Sequence, residues 1–401
     1  MDLIERATPA FRTTILALFA SGLATFALLY CVQPLLPVFG GVFRITPLVS
    51  SLALSVTTAL LACAMLVASA LSEVLGRKNV MVASVLASSL LGLLCAAAPG
   101  YAGLLVLRAL MGLSLSGLPA VAMAYVAEEM QPAATGLAMG LYISGNAIGG
   151  MTGRLLSGAL ADAFGWRVAL GVIGVEGLVC GAVLWRGLPA SRHFVARPFH
   201  PVALLRAFRL HLANPLLRCL FAEGFLLMGG FIATYNFVGY RLLAPPFDLT
   251  QTEIGLIFGV YLAGVVSSAV MGNLARQLGQ RRVVTANIVL MLAGTALTLG
   301  QALPLIVLGI AVLTAGFFGA HAVASAWVAG GAVSNRAQAS SLYLFSYYAG
   351  SSLAGSAAGA AWSFAGWNGV CGVVALLLLA ALVLALRLPG APVPGRAAAA
   401  G

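Results

Sequence analysis

Twelve apolar runs, each close to the roughly 20 residues an α-helix needs to cross a bilayer core, dominate the chain and leave little room for another fold. They cover 12–38, 47–72, 79–98, 102–126, 134–160, 166–185, 215–243, 251–275, 283–302, 304–330, 336–362 and 366–386. Charges, Gly or Pro mark the breaks, as at Glu73 to Lys78, Pro99-Gly100, Gln131-Pro132 and Gly165-Trp166-Arg167. Between the ninth and tenth runs only Gln301 and Pro304 mark a turn. Of all residues 61% are apolar and 8% charged, where a soluble chain carries about 25% charge. That balance argues against a soluble enzyme, a nucleic-acid-binding domain and a disordered protein. The first run is too long for the apolar core of a signal peptide, so no cleaved leader is expected.

The net charge of +11 points to cytoplasmic loops rather than to a nucleic-acid partner, because such loops collect Lys and Arg. With the N-terminus inside, the inner segments hold Arg6, Arg12, Arg77, Lys78, Arg186, Arg192, Arg197, Arg206, Arg209, Arg276, Arg281, Arg282, Arg336, Arg387 and Arg396, against Arg44, Arg167 and Arg241 outside. Both termini are therefore expected in the cytoplasm. The longest connection follows the sixth run. The expected organisation is a six-helix bundle over 1–185, a cytoplasmic linker over 186–214, a second bundle over 215–387 and a disordered cytoplasmic tail over 388–401. Within the linker, Leu204, Leu205, Phe208 and Leu212 share a helical face, as in a helix lying on the inner leaflet; a solvated linker is the plainer alternative.

The two halves repeat. Leu141-Tyr142 recurs as Leu342-Tyr343, Gly149 as Gly350, Gly158 as Gly359 and Gly165-Trp166 as Gly366-Trp367, always 201 positions on. Leu71, Gly76 and Lys78 match Leu274, Gly279 and Arg281, 203 positions on. A constant register near half the chain length marks a duplicated six-helix unit. Within the first half, Leu71-Ser72-Glu73-Val74-Leu75-Gly76-Arg77 echoes Leu160-Ala161-Asp162-Ala163-Phe164-Gly165-Trp166-Arg167 at the opposite membrane side, which fits an inverted three-plus-three repeat.

Three motifs resemble those of the major facilitator superfamily. Ser69-Ala70-Leu71-Ser72-Glu73-Val74-Leu75-Gly76-Arg77-Lys78 is similar to the family's G-x-L-A-D-R-x-G-R-K loop, departing at Ser69, Glu73 and Val74. Arg108-Ala109-Leu110-Met111-Gly112 resembles R-x-x-Q-G, with Met111 for Gln. Gly145-Asn146-Ala147-Ile148-Gly149-Gly150 resembles the antiporter motif G-P-x-x-G-G, with Asn146 for Pro. That run, Gln33-Pro34-Leu35-Leu36-Pro37 and Tyr347-Tyr348-Ala349-Gly350 are most similar to the acriflavin-sensitivity (YnfM-like) branch of the drug:proton antiporters. The resemblance implies an all-α membrane protein of twelve helices in two pseudo-symmetric halves, sited in a bacterial inner membrane. It also implies proton-coupled export of a small organic solute. No G-x-x-x-x-G-K-[ST] loop occurs, so ATP is not the expected energy source. Alternatives are a proton symporter or uniporter for a sugar or organic anion, and a membrane sensor or scaffold on a transporter fold.

Ionisable residues inside a bilayer are costly and point to function or to pairing. The runs hold Arg108, Arg154, Arg218, Glu176 and Glu223. Arg108, Glu223, Glu176 and Arg154 form the expected proton-coupling set, with Glu223 foremost as the one deep acid of the second half. The resemblance implies that Arg108 couples solute to proton; a snorkelling or carbonyl-satisfied arginine is the structural alternative, and for Glu223 it is a salt bridge to Arg218 or to a neighbouring helix. Glu73, Gly76, Arg77 and Lys78 form an expected gating cluster, facing an acid or helix end of the other half. Gly145, Gly149 and Gly150 form a helix-packing seam, with Gly140 and Gly153 beside them. Tyr30, Gln33, Asn146, Tyr235, Asn236, His321, Trp327 and Tyr347, with Tyr348, are the expected cavity set. The expected partners are a small-molecule substrate, protons and the lipid bilayer, with no nucleic acid, no metal and no cofactor beyond the proton motive force. The expected assembly is a monomer.

Overall fold

The computed structural model describes residues 3–6, 8–191, 194, 201–332 and 334–389. Arg192, Arg197 and Arg396 of the basic set, and the expected tail beyond Pro389, lie outside the described residues. Helices dominate: α1 Pro9–Tyr30, α2 Leu36–Phe43, α3 Pro47–Leu75, α4 Arg77–Ala96, α5 Tyr101–Leu115, α6 Pro119–Glu129, α7 Pro132–Phe164, α8 Trp166–Gly187, α9 Pro201–Ala213, α10 Pro215–Leu243, α11 Gln251–Ile257, α12 Tyr261–Leu278, α13 Gln280–Leu297, α14 Leu303–Gly331 and α15 Arg336–Arg387. Among the described residues the only extended pairing is an isolated bridge between Ile4 and Met130.

Among the described residues, eight helical stretches are long and apolar enough to cross a membrane, one of them running from Gln251 to Leu278 through α11 and α12. The other expected crossings differ for local reasons. Run 102–126 is divided at 116–118, where Pro119 opens α6 and has no N–H to continue the preceding helix. Helix α7 is rich in Gly, Ser, Thr and Asn besides carrying Arg154 and Asp162, and α13 opens with Gln280, Arg281 and Arg282, which lowers their hydropathy. Helix α15 holds two crossings, separated by non-helical backbone at Ala365 and Gly366. Two runs expected as single helices are also interrupted. Run 12–38 breaks into a turn at 31–35 before α2, around Pro34. Run 251–275 begins as α11, held by a Thr250–Glu253 capping box, and passes through a 3₁₀ turn at Phe258–Val260 into α12.

Contacts divide the chain into two compact units. The first holds Met1–Thr46, Leu52–His200 and Leu249–Phe258; the second holds Pro47–Ser51, Pro201–Asp248 and Gly259–Gly401. In the first, the Asp162 carboxylate at the end of α7 accepts from the Thr252 N–H at 2.6 Å, the Thr252 hydroxyl at 2.6 Å and the Gln251 N–H at 3.3 Å, so it caps α11. In the second, α9 packs Ala207 and His211 inward, and the His211 Nε2 lies 3.1 Å from the Asn335 carbonyl. Val202, Leu205, Leu210 and Leu212 stay exposed on α9. Leu205 and Leu212, two of the four residues on the face expected to lie on the inner leaflet, are thus left uncovered by the protein, with Leu204 and Phe208 half-buried.

The duplication is written in the backbone. Positive φ angles of +89°, +86°, +89° and +57° occur at Gly76, Gly165, Gly279 and Gly366, at the ends of the second, fifth, eighth and eleventh crossings. A side chain would be strained at such angles, and glycine is not. The helix seams repeat as well. A Cβ on Gly149 of α7 would run into the Leu23 carbonyl of α1, and one on Gly350 of α15 would run into the Phe225 carbonyl of α10. Close backbone approach of this kind is how small residues hold membrane helices together.

Candidate functional site

In the first unit, Arg108 projects from α5 and is 1% exposed. Its Nε donates to the Ala53 carbonyl at 2.9 Å, and its two terminal nitrogens donate to the Leu28 and Leu29 carbonyls at 2.8 and 2.7 Å. The Met111 sulfur, where the family motif has Gln, accepts at 3.1 Å. Leu28 and Leu29 sit in the last turn of α1, whose carbonyls lose their usual donors where the helix stops. The guanidinium therefore closes the break in the first crossing. Glu176 of α8 is half-buried with Oε2 unpartnered, and no ion pair joins it to Arg108 or Arg154 among the described residues.

Arg154 of α7 is 0% exposed. Its Nε donates to Gln33 Oε1 at 2.6 Å and one terminal nitrogen to the Gly150 carbonyl at 2.5 Å. The guanidinium carbon lies 4.2 Å from the Tyr30 ring centroid and 5.4 Å from that of Phe258, within cation–π range. The break at 31–35 thus delivers Tyr30 and Gln33 to Arg154. Asn146 stands one turn from Gly150 and presses its Oδ1 on Gly22; that oxygen has no partner among the described residues. Helix α7 continues unbroken through Asn146. Gly145, Gly149 and Gly153 face α1 backbone, whereas Gly150 faces Arg154, Phe26 and Tyr30, and Gly140 faces open space.

At the start of α4, buried Arg77 grips Glu128 of α6 through two bonds, Nε to Oε2 at 3.2 Å and a terminal nitrogen to Oε1 at 2.7 Å. It also donates to the Ser72 hydroxyl at 2.5 Å and lies 3.9 Å from Glu73. Gly76 makes the turn that brings Arg77 there, and Lys78 is half-buried beside it. The cluster thus pairs inside its own unit, through an acid the sequence reading did not select. These are the two ion pairs among the described residues.

In the second unit, Glu223 of α10 is 0% exposed and neither carboxylate oxygen has a hydrogen-bond partner among the described residues. No ion pair joins it to Arg218. The next residue, Gly224, receives the ring of Tyr343 from α15: a Cβ there would lie 2.8 Å from that ring. The Tyr343 hydroxyl is 2.9 Å from His321 Nδ1 on α14. The imidazole lies parallel to Phe317 at 5.8 Å and against Tyr347 at 4.7 Å, with Tyr348 edge-on to Tyr347 at 5.0 Å. Tyr235 of α10 bonds the Thr314 hydroxyl at 2.6 Å and belongs to the same aromatic wall through Phe231. Asn236 and Trp327 are buried on α10 and α14.

Comparison with known proteins agrees with this architecture. Residues 15–246 and 224–401 match the sequence profile of the Major Facilitator Superfamily. The chain belongs to the major facilitator superfamily. Among its relatives, the MFS-type transporter YybF of Bacillus subtilis is 47% identical over 384 residues, covering 96% of this chain and 95% of YybF. The inner membrane transport protein YnfM of Escherichia coli is 48% identical over 385 residues, covering 96% and 92%. Solved structures with the same fold include a bacterial homologue of the human lysosomal transporter Spinster (TM-score 0.71, 16% identity, 95% of each chain). The nucleoside transporter NupG is another (TM-score 0.74, 17% identity, 93% of this chain and 98% of NupG). The human organic anion transporter MFSD10 is a third (TM-score 0.69, 18% identity, 94% and 99%). The chain is a multi-pass membrane transporter and not an enzyme.

Within that superfamily frame, two functional candidates escaped sequence reasoning. Glu128 had a usable signal: it is one of only 10 acids and ends a crossing on the side of the Arg77 cluster. Tyr343 was already marked as half of the Leu141-Tyr142 and Leu342-Tyr343 repeat, but only the folded chain sets it beside Glu223 and His321.

Proposed function

We propose that this superfamily member is a proton-coupled secondary transporter that exports a small organic solute by alternating access. It sits as a monomer in a bacterial inner membrane, with both termini cytoplasmic, and draws on the proton motive force without a cofactor. One observation supports the proton coupling: Glu223 is a fully buried carboxylate with no hydrogen-bond partner among the described residues. An ionised group in that setting is costly, and accepting a proton removes the cost. A carboxyl that is charged in one state and neutral in another can tie proton movement to solute movement. The outward direction is supported by the resemblance of Gly145 to Gly150 to the antiporter motif.

The test is transport into proteoliposomes across a panel of organic cations and anions under an imposed pH gradient. At least one solute is expected to accumulate uphill, with proton movement in the opposite sense. Glu223→Gln is expected to abolish uphill accumulation and leave downhill exchange within about two-fold of wild type. Wild-type uphill accumulation by Glu223→Gln would overturn the assignment of the proton to this residue. A second reading, symport or uniport of an organic anion, is favoured by the buried Arg154 guanidinium with Gln33 and Tyr30 around it. Co-movement of protons with an anionic solute would select that reading.

A further inference from the structure

A carboxylate that exchanges protons from a fully buried position needs a chain of hydrogen-bonding groups leading to it. Resting on the reading of Glu223 as the proton carrier, we propose that His321 and Tyr343 are the relay through which its proton arrives and leaves. Three observations carry this. The Tyr343 ring packs on Gly224, one residue from Glu223. The Tyr343 hydroxyl is already hydrogen-bonded to His321 Nδ1 at 2.9 Å. Of the three residues His321 alone is half-buried, while Tyr343 and Glu223 are buried. Its Nε2 makes no hydrogen bond to the described residues. The ring packs against Phe317, Tyr343 and Tyr347, contacts that hold its orientation while protons pass.

The transfer balances without a further reactant. A proton from water binds Nε2, and the Nδ1 proton moves to the Tyr343 oxygen as the phenol proton moves to the Glu223 carboxylate. The imidazole ends neutral, the phenol is restored and the carboxyl is neutral. Release runs the same bonds in reverse. The last transfer requires the Tyr343 hydroxyl to turn from His321 toward Glu223, or one water to enter between them. The titratable groups around the imidazole are Tyr343, Tyr347 and, behind it, Tyr348 from α15. From α10 come Glu223 and Tyr235, and Tyr261 of α12 lies beyond Phe317 and Phe318. Of these groups, Tyr343 is the one hydrogen-bonded to His321.

The test needs no knowledge of the transported solute. Infrared difference spectra of the full chain in lipid films, taken through a pH jump, follow the carbonyl band of protonated carboxyl groups. The wild type is expected to show a band that is absent in Glu223→Gln, which assigns it. In Tyr343→Phe, which keeps the ring on Gly224, and in His321→Gln, the band is expected to reach the wild-type amplitude at equilibrium. Its rise is expected to be slower by roughly 100-fold, as when a positioned acid–base group is lost. A thermal melt within a few degrees of wild type checks that both variants are folded. A rise at the wild-type rate in both variants would overturn the relay and leave Glu223 as the carrier. No band lost in Glu223→Gln would overturn both the relay and the reading beneath it.

Discussion

Arg108 shows how one buried charge can be held without an anion. Its donors reach three backbone carbonyls of two helices and a thioether, a spread that a planar guanidinium can serve and a compact ammonium cannot. Arg108→Lys is therefore expected to leave at least one of those carbonyls without its donor, at about 1–3 kcal/mol for each. Thermal unfolding of the detergent-solubilised protein is expected to begin several degrees lower. An unchanged melt would show that the break at 31–35 holds itself and would return Arg108 to the coupling role the family resemblance implies. Glu223 is the opposite case: an equally buried group with no donor offered to either oxygen. The contrast separates a charge whose donors the fold uses from a carboxylate it leaves without a hydrogen-bond partner among the described residues.

Between elements, the decisive contacts are backbone to backbone. Helix α1 lies so close to α7, and α10 to α15, that Gly149 and Gly350 face opposing carbonyls with no space for a methyl group. Gly149→Ala and Gly350→Ala are expected to force each seam apart at about 3 kcal/mol or more, the upper range of overpacking in well-packed cores. Both should lower folded yield in gel filtration. Gly140→Ala, on the same helix as Gly149 but facing open space, is the control expected to behave as wild type. Equal losses for all three would mean that helix flexibility rather than close approach decides. The interrupted crossings follow a related logic. Pro34 and Pro119 stop helices inside apolar runs, and side chains such as Arg108 supply the missing hydrogen bonds, as buried irregular backbone in a membrane requires.

At the scale of the molecule, the basic residues make a prediction about orientation: a reporter fused after Arg387 is expected to read out from the cytoplasm. A periplasmic signal would invert the topology and with it the direction assigned to transport. Hydropathy, basic asymmetry and the 201-residue register were legible in the linear chain because each depends on residue type and spacing alone, and the same is true of the glycine turns at Gly76, Gly165, Gly279 and Gly366. These determine a duplicated membrane bundle of superfamily type, since bilayer crossing and positive-φ turns are local demands. The helix breaks were less legible, because an apolar run reads the same whether or not a distant guanidinium satisfies its carbonyls. Partnership was not legible at all. Arg77 finds Glu128 51 positions away, Arg154 finds Gln33 121 away, and Tyr343 reaches across both to the residue beside Glu223 and to His321. Which buried charge finds partners, and which is left without one among the described residues, depends on distances of a few ångströms between helices far apart in sequence. Only the tertiary structure sets those distances.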